Sequence, residues 1–267
     1  MNEPELLFSE ILNCNRVSLF LNKESPLDKD KSTLIASVLK RRIKGEPIQY
    51  ILGKTEFMGL EFKVNQDVFI PRAETEILVE TAINYAYRLS PVAYRILELG
   101  TGSGCIAISL AKYLTNFNIT ATDISQKALD IAQDNAEINN VANKIIFLKS
   151  NLFESLPICD MRYAICVCNP PYVPTAEIEG LQPEIKYEPD IALDGGRDGL
   201  DFYRRLVTFA PEYLNKRGFL IIEMGFNQRP AVENIFQKSG NFEIIEVVRD
   251  YNNIERVVVA RKIRENG

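Results

Sequence analysis

Histidine is absent from all 267 residues. Its absence removes the usual general base near neutral pH, the Ser/His and Cys/His nucleophile pairs, and the commonest zinc ligand. No Cys-x-x-Cys pair occurs either. The five cysteines, Cys14, Cys105, Cys159, Cys166 and Cys168, form an odd, scattered set that suits a reduced cytoplasmic protein. Cys166 and Cys168 are read as facing opposite sides of one strand, and no metal site is expected.

Long apolar runs are also missing. No segment approaches the ~20 residues that span a bilayer. Met1 to Glu10 carries three glutamates and no arginine, unlike a signal or transit peptide. An excess of positive charge is lacking too: the net charge is −5, whereas gripping a nucleic-acid backbone calls for surplus lysine and arginine. Lys40, Arg41, Arg42 and Lys44 form one local basic run, read as a solvated helix face. These absences predict no membrane contact and no direct nucleic-acid contact, and a monomer is expected.

What is present suits a folded enzyme. With 46% hydrophobic and 25% charged residues, the chain can bury a large domain and a small one. Leu6, Leu7, Ile11 and Leu12, then Leu34, Ile35, Val38, Leu39 and Ile43, recur at helical spacing, predicting two or three short helices that end at Gly45 and Pro47. Thr55 to Ile70 reads as a hairpin turning at Asn65, Gln66 and Asp67. Pro71 to Glu76 then opens a helix, with Arg72 and Glu74 at the mouth of a site or merely capping that helix. These patterns give a helical module over 1–53, a hairpin linker over 54–72 and a main domain over 73–267.

Beyond residue 95, strand and helix patterns alternate, which predicts a parallel sheet covered by helices on both faces. Strands are expected at Arg95–Leu99, Ile119–Thr122, Lys144–Leu148, Tyr163–Cys168 and Phe219–Glu223. The last two, Phe242–Arg249 and Arg256–Arg261, are joined so tightly that they must be antiparallel. Val173 to Leu200 is too long for a plain connector, and loops of that kind are usually functional.

Two stretches carry chemistry. Tyr163 to Cys168 is a short apolar run of the kind found in strands buried on both faces, and Asn169, Pro170, Pro171 and Tyr172 follow at its carboxyl end. Consecutive prolines have no backbone N–H, so the segment offers acceptors and almost no donors. The Asn169 side-chain oxygen and the Pro170 carbonyl suit the two hydrogens of a planar NH2, with the Tyr172 ring pressed against the flat group. The second stretch is Glu98, Leu99, Gly100, Thr101, Gly102, Ser103 and Gly104, running from a strand into a helix. Its glycines admit a ligand close to the backbone at a helix amino terminus. Asp123 ends the next strand, where a carboxylate takes ribose hydroxyls.

Gly102, Gly104 and Ala107 also fit the GxGxxA spacing of a nicotinamide site. Glu98 would face a pyrophosphate unfavourably but suits a cationic amino group, so S-adenosyl-L-methionine is the better fit. A methyl on sulfur beside a nitrogen held by Asn169 and Pro170 calls for positioning more than for a base.

With these residues in place, the chain resembles the HemK/PrmC family, glutamine methyltransferases of class I peptide chain release factors. The likeness runs through Arg41 to Gly53, Ile70 to Thr75, Glu98 to Cys105, Asp123 to Ser125, Asn169 to Tyr172, Tyr187 to Pro189, Gly195 to Leu200, and Arg249 to Arg256. It implies a Rossmann-like α/β fold: a seven-stranded class I methyltransferase sheet with the last strand antiparallel and a helical amino-terminal domain that helps engage the release factor. It further implies that Gly100 to Gly104, Asp123 and Ile124 hold the cofactor, with Asn151 and Leu152 near its adenine. Asn169 would serve both halves of the site, and Asn169 to Tyr172 would grip the glutamine of a Gly-Gly-Gln motif. Ala73 stands where the family usually has proline, Asn151 where aspartate is common, and Leu152 where some members have an aromatic. Methylation of a ribosomal-protein glutamine, methylation of a nucleic-acid amino group, and a binding module without catalysis are the alternatives.

Overall fold

Asparagine and aspartate caps start two of the amino-terminal helices in the computed structural model, which describes residues 3–22, 25–89, 94–157 and 162–263. Helices α1 (Glu3–Leu12), α2 (Arg16–Leu21), α3 (Lys29–Ile43) and α4 (Ile48–Leu52) form the module. Asn15 and Asp28 accept the Ser18 and Lys31 N–H groups at 2.9 and 2.7 Å. Such caps stabilise a helix start by about 1 kcal/mol. Leu7, Val38 and Ile48 join α1, α3 and α4 in a small core. The last helix extends beyond the predicted end, because Pro47 stands at a helix start, where its missing N–H costs nothing.

The hairpin departs from expectation. Strands β1 (Lys54–Phe57) and β2 (Leu60–Lys63) pair antiparallel and turn at Met58 and Gly59, whose φ values are 53° and 70°. Two positive φ values suit the tight turn that matches strand twist. The predicted turn at Asn65 to Asp67 exists but lies after β2, where Asn65 Oδ1 accepts the Asp67 N–H at 2.8 Å. Methionine rarely takes positive φ, so the polar residues gave the stronger turn signal.

Helix α5 (Ala73–Arg88) then leads into the main sheet. Its strands are β3 (Tyr94–Leu99), β4 (Phe117–Asp123), β5 (Ile145–Lys149), β6 (Tyr163–Cys168), β7 (Leu214–Glu223), β8 (Phe242–Arg249) and β9 (Glu255–Lys262). The order across the sheet is β5-β4-β3-β6-β7-β9-β8, and β9 runs antiparallel to both neighbours. The chain moves outward from β3 to β5 and returns to β6 on the other side of β3. A crevice therefore opens beyond the carboxyl ends of β3 and β6, the usual ligand position in such sheets.

Helices cover both faces. On one face α5, α6 (Cys105–Tyr113) and α7 (Gln126–Ile138) pack on Ile96, Ile119 and Ile165; on the other α8 (Asp201–Tyr213) and α9 (Arg229–Ser239) pack on Leu97, Cys166 and Leu220. Cys166 and Cys168 share that second face. This corrects the expectation of opposite faces: residues two apart along a pleated strand point the same way. Cys159 lies outside the described residues. The loop after β6 is held in short 3-10 turns at Thr175–Gly180, Ile185–Tyr187 and Asp190–Ala192. It also reaches the amino-terminal module, since Glu184 pairs with Arg42 at 3.0 Å and the Tyr187 hydroxyl donates to the Lys44 carbonyl at 3.1 Å.

Candidate active site

The carboxyl ends of β3, β4 and β6 open into one cavity of about 390 Å³, within the range of small-molecule sites. Gly100, Thr101, Gly102, Ser103, Asp123, Ile124, Asn151 and Leu152 line one part of it. Asn169, Pro170, Pro171 and Tyr172 line another. Gly104 and Glu98 are not part of the wall. Gly104 caps α6 behind the loop, and Glu98 lies beneath it with 0% exposure.

On the glycine side the loop is tied to its own carboxylates. Gly102 has φ +54°, a left-handed conformation that favours glycine, and its N–H donates to Asp123 Oδ2 at 2.8 Å. Asp123 Oδ1 accepts the Ser125 N–H at 2.9 Å. Each oxygen keeps a further lone pair for a hydroxyl donor. Burial raises the Asp123 carboxyl above its ordinary range, against the pull of the Ser125, Gly102 and Ile124 N–H groups.

Glu98 Oε2 accepts from the Thr101 hydroxyl at 2.7 Å and the Ala107 N–H at 3.0 Å, bracing the loop from below. Its Oε1 has no partner among the described residues. Burial pushes this carboxyl up to about 8, opposed by those two donors. A loop that admits the ligand backbone-close and a carboxylate with spare lone pairs together fit a ribose. The Asn151 side chain is already engaged, donating to Glu154 Oε1 at 2.7 Å and accepting from Arg205 at 3.0 Å.

On the proline side, the Asn169 amide Nδ2 donates to Thr75 Oγ1 at 3.1 Å, and the Glu223 carboxyl lies beside both residues. Thr75 and Glu223 are each 2% exposed. The Tyr172 carbonyl accepts from Gln228 Nε2 at 2.9 Å, and a Cβ on Gly199 would overlap that same carbonyl oxygen. Here the Gly195 to Leu200 stretch finds its reason, as glycine lets the long loop close against Tyr172. Burial raises the Tyr172 hydroxyl pKa.

The mouth is laced by a further carboxylate. Glu188 sits 4% exposed, pairs with Arg72 and accepts the Ile70 N–H at 3.1 Å. Arg72 makes no side-chain cap on α5, although its backbone occupies the capping position. Sequence reasoning assigned no site role to Thr75, Glu188, Glu223 or Gln228. Glu223 had one available signal, a carboxylate closing an apolar strand in the same manner as Glu98.

Residues 2–53 match the PrmC N-terminal domain, and residues 74–181 match the methyltransferase small domain. A release factor glutamine methyltransferase of Geobacter sulfurreducens is 44% identical over 260 residues, covering 97% of this chain and 88% of that protein. The chain belongs to the release factor glutamine methyltransferase family. Another member of the family, from Thermodesulfovibrio yellowstonii, is 42% identical over 264 residues, covering 98% of this chain and 92% of its own. Among solved structures, a Pyrococcus furiosus methyltransferase shares the fold with a TM-score of 0.56 at 15% identity, covering 89% of this chain and 100% of that one. The seven-stranded sheet with its last strand antiparallel and helices on both faces is the fold that the resemblance implied.

Proposed function

We propose that this protein transfers a methyl group from S-adenosyl-L-methionine to the side-chain amide nitrogen of the glutamine in the Gly-Gly-Gln motif of class I peptide chain release factors. The observation that carries the proposal is one cavity lined both by the glycine loop with Asp123 and by Asn169 to Tyr172. Near-complete alignment with family members supports the same activity.

When bound, the cofactor supplies an electrophilic methyl on sulfur. The chain's residues then have separate tasks. Asp123 accepts ribose hydroxyls, and Gly100 and Gly102 let the ligand approach the main chain. Asn169 Oδ1 and the Pro170 carbonyl take the two hydrogens of the glutamine NH2, drawing the nitrogen out of planarity and freeing its lone pair. The Tyr172 ring lies against the amide, where aromatic contact adds about 1 kcal/mol beyond buried area. Val68, Phe69 and Leu193 in the wall keep water from the reacting atoms. The proton released on alkylation passes to water or a nearby carbonyl, which is consistent with a chain that has no histidine.

The helical module over 1–53 is assigned to release-factor engagement, linked through 54–72 to the methyltransferase domain over 73–267. Helix α2 buries none of its residues and leaves Val17, Phe20 and Leu21 exposed, an apolar surface suited to a protein partner. A cytoplasmic monomer fits this role. No helix among the described residues is long and apolar enough to cross a membrane.

The test offers purified release factor, ribosomal protein and RNA side by side to the enzyme with labelled cofactor. Label on the Gly-Gly-Gln glutamine is the expected result. Label on the ribosomal protein or the RNA alone would overturn the assignment.

A further inference from the structure

Strands β6 and β7 are parallel, and Cys168 lies opposite Ile222, so Asn169 and Glu223 form the next pair outward. Thr75, in the first turn of α5, completes a triangle with them. Packing does not account for this group. A carboxylate is seldom buried without a strong partner, yet Glu223 Oε2 has none among the described residues.

The two ends of an asparagine amide have nearly the same shape, so its neighbours decide which end faces the cavity. An ionised carboxylate only accepts hydrogen bonds. Beside Glu223 the NH2 end of Asn169 is attracted and the oxygen end repelled. Thr75 has one hydroxyl proton; given to Glu223, it leaves the oxygen lone pairs to receive Asn169 Nδ2. The hydrogen bonds then run one way, from Asn169 through Thr75 to Glu223.

We propose that Glu223 and Thr75 are positioning residues that lock the Asn169 carboxamide with Oδ1 turned toward the acceptor nitrogen. The proposal rests on the reading of Asn169 as a hydrogen-bond acceptor for the substrate amide. A flipped Asn169 would present NH2 to NH2, and Pro170 and Pro171 have no N–H with which to adapt.

The groups around Glu223 are Glu74 on α5, Arg256 on β9, Tyr172 after β6, Tyr203 on α8, Cys168 on β6 and Cys105 on α6. Arg256 favours the ionised carboxylate, and Glu74 opposes it. Burial, the largest influence, lifts the Glu223 carboxyl to about 7. A protonated Glu223 can donate to Thr75 and release the lock. Turnover therefore rises as pH climbs through this value.

Glu223→Gln and Thr75→Val test the lock, with Thr75→Ser as the conservative control. Misorientation of a substrate-holding group costs on the order of 10²-fold in turnover, and that loss in kcat is expected for Glu223→Gln and Thr75→Val. Cofactor affinity by calorimetry is expected to stay unchanged. Thr75→Ser restores most of the activity, and the pH limb near neutrality disappears in Glu223→Gln. Independently of activity, the Asn169 side-chain NH2 signals in nitrogen-15 spectra exchange slowly in the parent protein and faster in Glu223→Gln.

Turnover within about twofold of the parent in both Glu223→Gln and Thr75→Val, with Asn169 signals unmoved, overturns the proposal. So does a parallel loss of cofactor affinity, which marks a merely structural role. If Glu223→Gln does not fold, the Thr75→Val and Thr75→Ser pair decides. Asn169→Ala separates the two levels: normal turnover there sinks the acceptor reading itself, whereas an inactive Asn169→Ala beside a normal Thr75→Val sinks only the lock.

Discussion

Glu98 and Glu223 close strands β3 and β7 on either side of β6, both buried, and each leaves one oxygen without a partner among the described residues. Their surroundings differ. Glu98 bonds the Thr101 hydroxyl and the Ala107 N–H, so it braces main chain. Glu223 lies beside the Asn169–Thr75 hydrogen bond, where its charge acts on a side chain. The cofactor half of the cavity is built from backbone conformation, which glycines and helix ends supply. The acceptor half depends on one amide, whose orientation a neighbouring charge can set.

The largest effect should come from Asn169→Ala. Removing a group that acts on the reacting atoms costs on the order of 10²- to 10³-fold in turnover, and calorimetry should show a far smaller loss of cofactor affinity. If both fall together, the two halves are not separable. Asp123→Ala is the mirror test. Each bond to a charged acceptor is worth roughly 1.5–3 kcal/mol, so cofactor affinity should drop more than tenfold, with turnover recovering at saturating cofactor. Unchanged affinity would remove Asp123 from the ribose.

Glu188→Gln probes the third buried carboxylate, outside both halves. Loss of its pairing with Arg72 should lower stability by about 1–3 kcal/mol, read as a fall in chemical-denaturation midpoint. No change would mean the pairing at the mouth contributes nothing to the fold.

Glu98→Gln sharpens the contrast most finely. A carboxyl raised from 4.5 to about 8 in the folded state gives stability that is complete below the lower value and lost as pH rises toward the upper one. Melting temperature should therefore decline less with rising pH in Glu98→Gln than in the parent. An identical decline would show that Glu98 does not titrate in this range.

The sheet was legible because buried parallel strands are short apolar runs punctuated by glycine and polar residues. Tyr163–Cys168 and Phe242–Arg249 match the observed strands to the residue. The hairpin turn was misplaced because Met58 adopts a backbone conformation that its side chain disfavours. Both stretches that line the cavity were visible as local motifs. Their supports were not: Thr75 lies 94 residues from Asn169, and Arg72 lies 116 from Glu188. Local spacing has no means of pairing residues that only the strand order brings together.

The most direct measurement is a structure of the enzyme with demethylated cofactor and a Gly-Gly-Gln peptide. The expected result places both Asn169 Oδ1 and the Pro170 carbonyl within about 3 Å of the glutamine amide nitrogen, on the side facing the sulfur. A glutamine nitrogen held elsewhere, or an Asn169 whose NH2 end points at it, would contradict this.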